Sequence, residues 1–312
     1  MKTKAKHLLS IDDLSKQNIY ELIYKAFELK SNKTKYANAC NGKTLGLIFN
    51  KPSTRTIVSF AVAMIQLSGS PIILNTDNLQ LKYGESIHDT AIILSQYLNG
   101  IVIRTFHHKN IKYFAEYASI PIINGLTNKE HPCQILSDIM TVMELYNITF
   151  EALNTLKIVY IGDSSNNIAC SLLKLTSILG LNLTIISPQE YSPKLNVLNN
   201  CLQSSLLSKA KINVTSNINL VKDADVVYTD VWTSMGFEKE KNIRRHLLAP
   251  YQVNSSLLKT VAKSCIVLHC LPAVQGEEIT SDVMAKYKYS IFKQSENKLY
   301  MQKAILLFLI KN

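Results

Sequence analysis

The chain has no Cys-x-x-Cys pair, no Gly-x-x-x-x-Gly-Lys loop and no Gly-x-Gly-x-x-Gly turn. Each absence removes a class of function. Its six cysteines, Cys40, Cys133, Cys170, Cys201, Cys265 and Cys270, are too few for a disulfide framework in 312 residues, and none has zinc-site spacing. They read as reduced thiols. Without a Walker loop or a dinucleotide fingerprint, nucleotide binding has no motif to rest on. Long apolar runs are lacking as well. Residues 304–310 form the longest near the C-terminus, far below the roughly 20 that a membrane span needs. Residues 1–14 are basic and then acidic, with Asp12 and Asp13 interrupting any apolar stretch, unlike a secretory signal. The expectation is a cytoplasmic protein with no membrane partner.

Acidic residues are also in deficit, 23 against 34 Lys and Arg, which leaves a net charge of +11. Such an excess can signal nucleic acid. Here the basic residues are scattered and no aromatic-basic motif accompanies them, so no nucleic-acid partner is expected. A positive field also favours an anionic small substrate. What is present is ordinary globular material. The 47% hydrophobic content and 18% charge suit a folded protein, and 312 residues suffice for two domains.

Short apolar runs alternate with amphipathic segments, which predicts βαβ units around parallel sheets. In the first set, residues 44–50, 72–74, 100–105 and 120–124 read as strands. Residues 53–67, 86–98, 110–118 and 132–146 read as helices, with Ser86 as an N-cap and Pro132 in a first turn. A second set starts at Lys157, with strands at 158–161, 183–187, 212–216, 225–230 and 265–270. A helix ends near Gly180, and a last helix spans about 296–310. The break falls in residues 147–156.

Six segments carry candidate chemistry. Ser53-Thr54-Arg55-Thr56 follows a strand and opens a helix, where unpaired N–H groups attract anions and an arginine fork matches phosphate. Alone, it is equally an N-cap beside a surface arginine. Arg104 closes a strand, where α/β sheets bind ligands, or merely starts a loop. His131-Pro132-Cys133-Gln134 stands at another strand-to-helix crossing, where the histidine and Gln134 either meet a substrate oxygen or only cap the helix. Gly162-Asp163-Ser164-Ser165-Asn166-Asn167 places two asparagines at a turn that suits the polar end of a small substrate. Asp230 follows a strand and either binds an amine or caps the next element. Cys270, in His269-Cys270-Leu271-Pro272, lies at a strand end with no histidine or asparagine arrangement legible for a thiolate nucleophile.

In this order, the segments resemble the aspartate/ornithine carbamoyltransferase family, nearly continuously from His7 to the C-terminus. Asp230 with Ser234-Met235-Gly236, and His269-Cys270-Leu271-Pro272, resemble its ornithine branch. The resemblance implies two doubly wound α/β domains: residues 1–148 with the last helix, 296–312, for carbamoyl phosphate, and residues 149–295 for the amino acid. It implies transfer of a carbamoyl group from carbamoyl phosphate to the side-chain amine of L-ornithine, a step of arginine metabolism. It implies no cofactor, no metal and a homotrimer with sites between subunits. Ser53, Thr54, Arg55 and Thr56 would hold the phosphate. Arg104, His131 and Gln134 would hold the phosphate and polarise the carbonyl. Gln80 would reach a neighbouring subunit's site, and Asn166, Asn167, Asp230, Ser234 and Met235 would bind ornithine. Cys270 and Leu271 would line the reacting centre. Of these, Arg55, Arg104, His131, Asp230 and Cys270 are the expected catalytic set. Another amine such as putrescine, or a non-catalytic phosphate-binding relative, are the alternatives.

Four places depart from the family pattern: Ile57, Ala61, Val274-Gln275, and Lys298 where an arginine contacting carbamoyl phosphate is usual. Lysine keeps the charge but loses the planar fork, so weaker carbamoyl-phosphate binding is expected. Ile57 and Ala61 together remove an Arg–Glu pair and read as a structural swap.

Overall fold

Apolar runs bounded by turns become strands, most of them buried on both faces as parallel sheets covered by helices demand, while those at 70–75 and 211–215 are only partly buried. The computed structural model of the chain describes residues 6–50, 53–75, 84–234 and 236–310. Two units result, Met1–Met140 with Asn297–Asn312, and Thr141–Glu296.

The first unit opens on α1 (Lys16–Ser31), started by Ser15, whose hydroxyl accepts from the Asn18 N–H while the Asn18 side chain accepts in return. There follow β1 (Thr44–Phe49), α2 (Thr54–Ile65), β2 (Ser70–Asn75), α3 (Ile87–Tyr97), β3 (Gly100–Arg104), α4 (His108–Tyr117), β4 (Ile122–Leu126) and α5 (Pro132–Tyr146). Ser86 caps α3 by accepting from the Asp89 N–H, and Pro132 opens α5. The expected strand 120–124 shifts to start after Pro121, which has no N–H to give the ladder. The sheet order is β2-β1-β3-β4, all parallel. Ile48, Ile101, Ile103, Ile111 and Phe114 form part of its core, each burial contributing about 1.5–3 kcal/mol.

The second unit holds α6 (Phe150–Leu153), β5 (Lys157–Ile161), α7 (Asn167–Leu179), β6 (Asn182–Ile186), α8 (Leu195–Ser208), β7 (Lys211–Thr215), β8 (Val226–Tyr228), α9 (Lys241–Leu248), β9 (Ile266–Leu268) and α10 (Ser281–Lys286). Its sheet runs β7-β6-β5-β8-β9, again all parallel. Gly180 ends α7 at φ +82°, where a Cβ would lie 2.4 Å from the Ser208 carbonyl oxygen, so only glycine fits.

The division between the two compact units passes through α5. The second half of α5 belongs with the second unit, where Tyr146 donates to the carbonyls of Asp225 and Ser264. It passes again through α11 (Lys288–Leu309), which starts eight residues before the expected 296 and returns to the first unit from Asn297 onward.

Strand order positions the chemistry. In the first sheet the chain leaves β1 to one side for β2 and to the other for β3. In the second it leaves β5 for β6 and later returns beside it as β8. Carboxyl ends of strands at such reversals open the crevices where α/β sheets bind ligands. Register then sets neighbours. Phe49 lies beside Arg104, and Tyr160, Tyr228 and Leu268 lie in one row. The segments beginning at Gly162, Asp230 and His269 therefore emerge side by side.

Candidate functional site

In the first unit, Ser53 stands at the N-cap position of α2 but makes no side-chain cap. Its Oγ accepts from Arg104 Nη1 at 2.8 Å instead. Ser53 is therefore bonded to a strand-end arginine rather than to the backbone of its own helix. The first-turn N–H groups of α2 receive no hydroxyl from Ser53, while Arg104 is tied to the helix mouth. An N-terminus left this way attracts anions. Thr56, on the same first turn, is buried, and its Oγ1 accepts from Lys298 Nζ at 3.2 Å. Thr54 and Arg55 are exposed there.

His131 is buried at the mouth of α5. Burial, then the positive charges of Lys298 and Arg104, hold its pKa well below the usual 6.5. The ring is therefore a neutral imidazole near two cations, suited to donate to a carbonyl oxygen without adding charge. Gln134 is buried one turn on, and its Nε2 donates to Asp138 Oδ1 at 2.8 Å, which leaves its amide oxygen as the free acceptor end. The structure thus gathers Ser53, Thr56, Arg104, His131 and Lys298. Gln80 lies outside the described residues.

In the second unit, Asp230 is 6% exposed just beyond β8. Asn166 Nδ2 reaches Asp230 Oδ2 at 3.4 Å, and the Cys270 thiol donates to Asp230 Oδ1 at 3.2 Å. Burial raises the Asp230 carboxyl above the usual 3.8, while His269 and Cys270 pull it the other way. Asn166 also caps α7, accepting from the Ala169 N–H, and Asn167 is the first residue of that helix. Ser234 and Leu271 are half-buried in the loops beyond β8 and β9. Met235 lies outside the described residues. Asn166, Asp230 and Cys270 are therefore brought into direct contact.

A thiol that donates to a carboxylate is not a thiolate, so the geometry does not prepare Cys270 as a nucleophile. Asp230, His269 and Cys270 offer three metal-ligand atoms within 4.8 Å. Both nitrogens of His269 are committed, however. Nδ1 accepts from the Leu271 N–H at 3.0 Å, so the proton sits on Nε2, facing Glu278 Oε1 at 2.9 Å. This histidine braces the Cys270–Leu271 turn, where Leu271 holds φ +53°, and is not available as a ligand.

Several contributing residues escaped sequence reading. Tyr160, fully buried on β5, receives the Asn166 amide at 2.8 Å and donates to the Asp163 carbonyl. On a strand it reads only as core. Glu278 also accepts from the Val274 N–H at 2.6 Å. No periodicity links it to His269. Asp138 orients Gln134 from one turn away, and this i, i+4 pair was the one signal available in the sequence.

Two family models cover most of the chain. Residues 6–144 match the carbamoyl-P binding domain of aspartate/ornithine carbamoyltransferase, and residues 154–309 match its Asp/Orn binding domain. A protein named ornithine carbamoyltransferase from Anoxybacillus flavithermus is 45% identical over 311 residues, covering 98% of this chain and 97% of its own. Another of that name from Methanosphaera stadtmanae is 44% identical, with 98% and 99% covered. The structure of ornithine carbamoyltransferase from Pyrococcus furiosus superposes with a TM-score of 0.91 at 40% identity, covering 98% of this chain and 97% of that one. Ser53, Arg104 and His131 lie in the part matched by the first model, and the Asn–Asp–Cys cluster in the part matched by the second. The chain belongs to the aspartate/ornithine carbamoyltransferase family.

Proposed function

We propose that the chain transfers the carbamoyl group of carbamoyl phosphate to the side-chain amine of L-ornithine, giving L-citrulline and phosphate. The observation that carries the choice of amine is the buried Asp230 with Asn166 and Cys270 against it. A carboxylate here attracts a substrate amine and repels a side-chain carboxylate, which disfavours aspartate. The amides of Asn166 and Asn167 and the hydroxyl of Ser234 suit an α-amino acid head, which putrescine lacks.

Roles follow from chemistry. Ser53, Thr54, Arg55, Thr56, Arg104 and Lys298 meet the phosphate charge. Neutral His131 and the oriented Gln134 address the carbamoyl oxygen and nitrogen. The neutral amine attacks the carbonyl carbon, the C–N bond forms, the bond between that carbon and the bridging oxygen breaks so that phosphate leaves, and Asp230 takes the amine's proton. Phosphate leaves readily once fixed donors meet its charge, and holding both substrates in register supplies much of the remaining acceleration. No step calls on a metal or organic cofactor. A product assay with carbamoyl phosphate and ornithine, aspartate or putrescine tests the reading. A ureido product from ornithine alone is expected, and none from any amine would refute it.

Lys298 tunes the phosphate side. Its single ammonium is tied to Thr56 Oγ1, whereas an arginine would present a fork. Lys298→Arg is expected to lower the KM for carbamoyl phosphate about fivefold, roughly 1 kcal/mol, with the ornithine KM unchanged. Identical kinetics would contradict this role.

The assembly proposed is a homotrimer in which Gln80 reaches a neighbouring copy's site. Its support is the exposed apolar margin of the first unit. On the edge strand β2, Ile72 is 45% and Ile73 59% exposed, and on α2 Val58 and Ile65 are more than half exposed. An open apolar strand edge invites a partner. Sedimentation should give a mass of three times 35.1 kDa, and a monomer at working concentration would argue against it. The cytoplasm is the proposed compartment, in keeping with six free cysteines.

A further inference from the structure

We propose that Arg244, on α9, is a positioning residue that sets the geometry of the amino-acid half of the site, and that Asp163 is its anchor. The inference rests on the reading of Asn166, Asp230 and Ser234 as ornithine-binding residues. Arg244 touches none of them.

Arg244 is 3% exposed, unusual for an arginine. Its Nη1 donates to Asp163 Oδ2 at 2.7 Å and to the Trp232 carbonyl at 3.1 Å. Its Nε donates to Glu240 Oε2 at 2.9 Å. The guanidinium lies 4.6 Å from the ring centres of both Tyr191 and Phe237. One planar group thus joins three segments: the turn after β5, the loop after β6 and the loop after β8.

Both ends of this brace lead into the site. Asp163 stands three residues before Asn166, and its other oxygen, Oδ1, accepts from the Ser165 N–H and hydroxyl at 2.9 and 2.6 Å. Its carbonyl accepts from Tyr160, whose hydroxyl in turn receives the Asn166 amide. Trp232 lies midway between Asp230 and Ser234, and its ring packs with Tyr191 and Leu248. Arg244 therefore fixes the distance between the turn that carries Asn166 and the loop that carries Asp230 and Ser234. Stacking between two rings needs a flat cation, and bonding through Nε and Nη1 needs a fork, so lysine cannot replace it.

A brace of this kind acts on one substrate. Misplacing a binding group by about 1 Å can cost on the order of a hundredfold. A residue that only supports the fold would instead lower stability and affect both substrates alike. Trp232 is the only tryptophan of the chain, so intrinsic fluorescence reads the braced loop directly.

The test compares the full chain with Arg244→Lys and Asp163→Asn. In Arg244→Lys, kcat/KM for ornithine is expected to fall about a hundredfold, mainly through KM. The KM for carbamoyl phosphate should stay within twofold. Tryptophan emission should shift to the red, and its response to ornithine should be lost. Should Arg244→Lys lack native circular dichroism, the isosteric Asp163→Asn carries the same comparison. An unchanged ornithine KM in a folded variant overturns the proposal, and so does an equal rise in both KM values. A wild-type chain that forms no citrulline shows instead that the underlying functional reading has failed.

Discussion

Replacing Arg104 with lysine is expected to lower kcat/KM for carbamoyl phosphate by a hundredfold to a thousandfold, the usual loss when one preorganised donor to developing charge is removed. The reason begins with strand register. Pairing with β1 sets Arg104 beside Phe49, and Ser53 Oγ meets Arg104 Nη1. One nitrogen of the fork orients the group on Ser53, and a planar fork can address a phosphate at the same time. A lysine at this position has one head for both tasks. Arg104 also contributes to keeping His131 neutral. Steady-state kinetics at varied carbamoyl phosphate checks this. A loss below threefold in a folded variant would remove Arg104 from the phosphate site.

Asp230→Asn is expected to lower kcat about a thousandfold, within the range for a positioned proton acceptor, and at the same time to stabilise the protein at neutral pH. The sign follows from the buried carboxyl. Its pKa is raised above 3.8 in the folded state, so the folded chain holds the proton more tightly than the unfolded one. At pH 7 the ionised form is a cost to folding that asparagine avoids. The cost disappears once pH falls below 3.8, where both states are protonated. Thermal melts of the two proteins should therefore differ at pH 7, with the variant higher, and converge in acid. An inactive variant that is also less stable at pH 7 would mean that Asp230 is chiefly structural. Such a stability cost at a functional position is the common trade-off.

Much of this is legible in the sequence. Strand runs such as residues 100–105 and 158–161 are short, apolar and bounded by turns, so period and length identify them. Placing Ser53, Arg104, Asn166, Asp230 and Cys270 at strand ends needed only those runs. What could not be read is whatever depends on long-range pairing. Whether Ser53 caps α2 is decided by Arg104, 51 residues away in the chain. Asn166 rather than Asn167 touches Asp230 because the cap geometry of α7 turns it inward. Helices α1, α8, α9 and α10 are further elements, although α1 places Ile19, Leu22, Ile23, Ala26 and Leu29 at helical spacing, and Arg244 comes with α9. The start of α11 at Lys288 is not legible in the sequence because its apolar residues follow no single face.

Cys270 shows how contact revises chemistry. A cysteine at a strand end invites a covalent mechanism, but its thiol donates to Asp230. That contact fits the proposed direct transfer, from phosphate to amine, with the protein supplying charge and position.

The most direct test follows the label in carbamoyl phosphate carrying carbon-13, incubated with ornithine and the chain and observed by NMR and intact-protein mass spectrometry. The account predicts that the label appears in the ureido carbon of citrulline, one phosphate per citrulline, with no labelled adduct on the protein during turnover. Phosphate release without citrulline, or label held on Cys270, would contradict it.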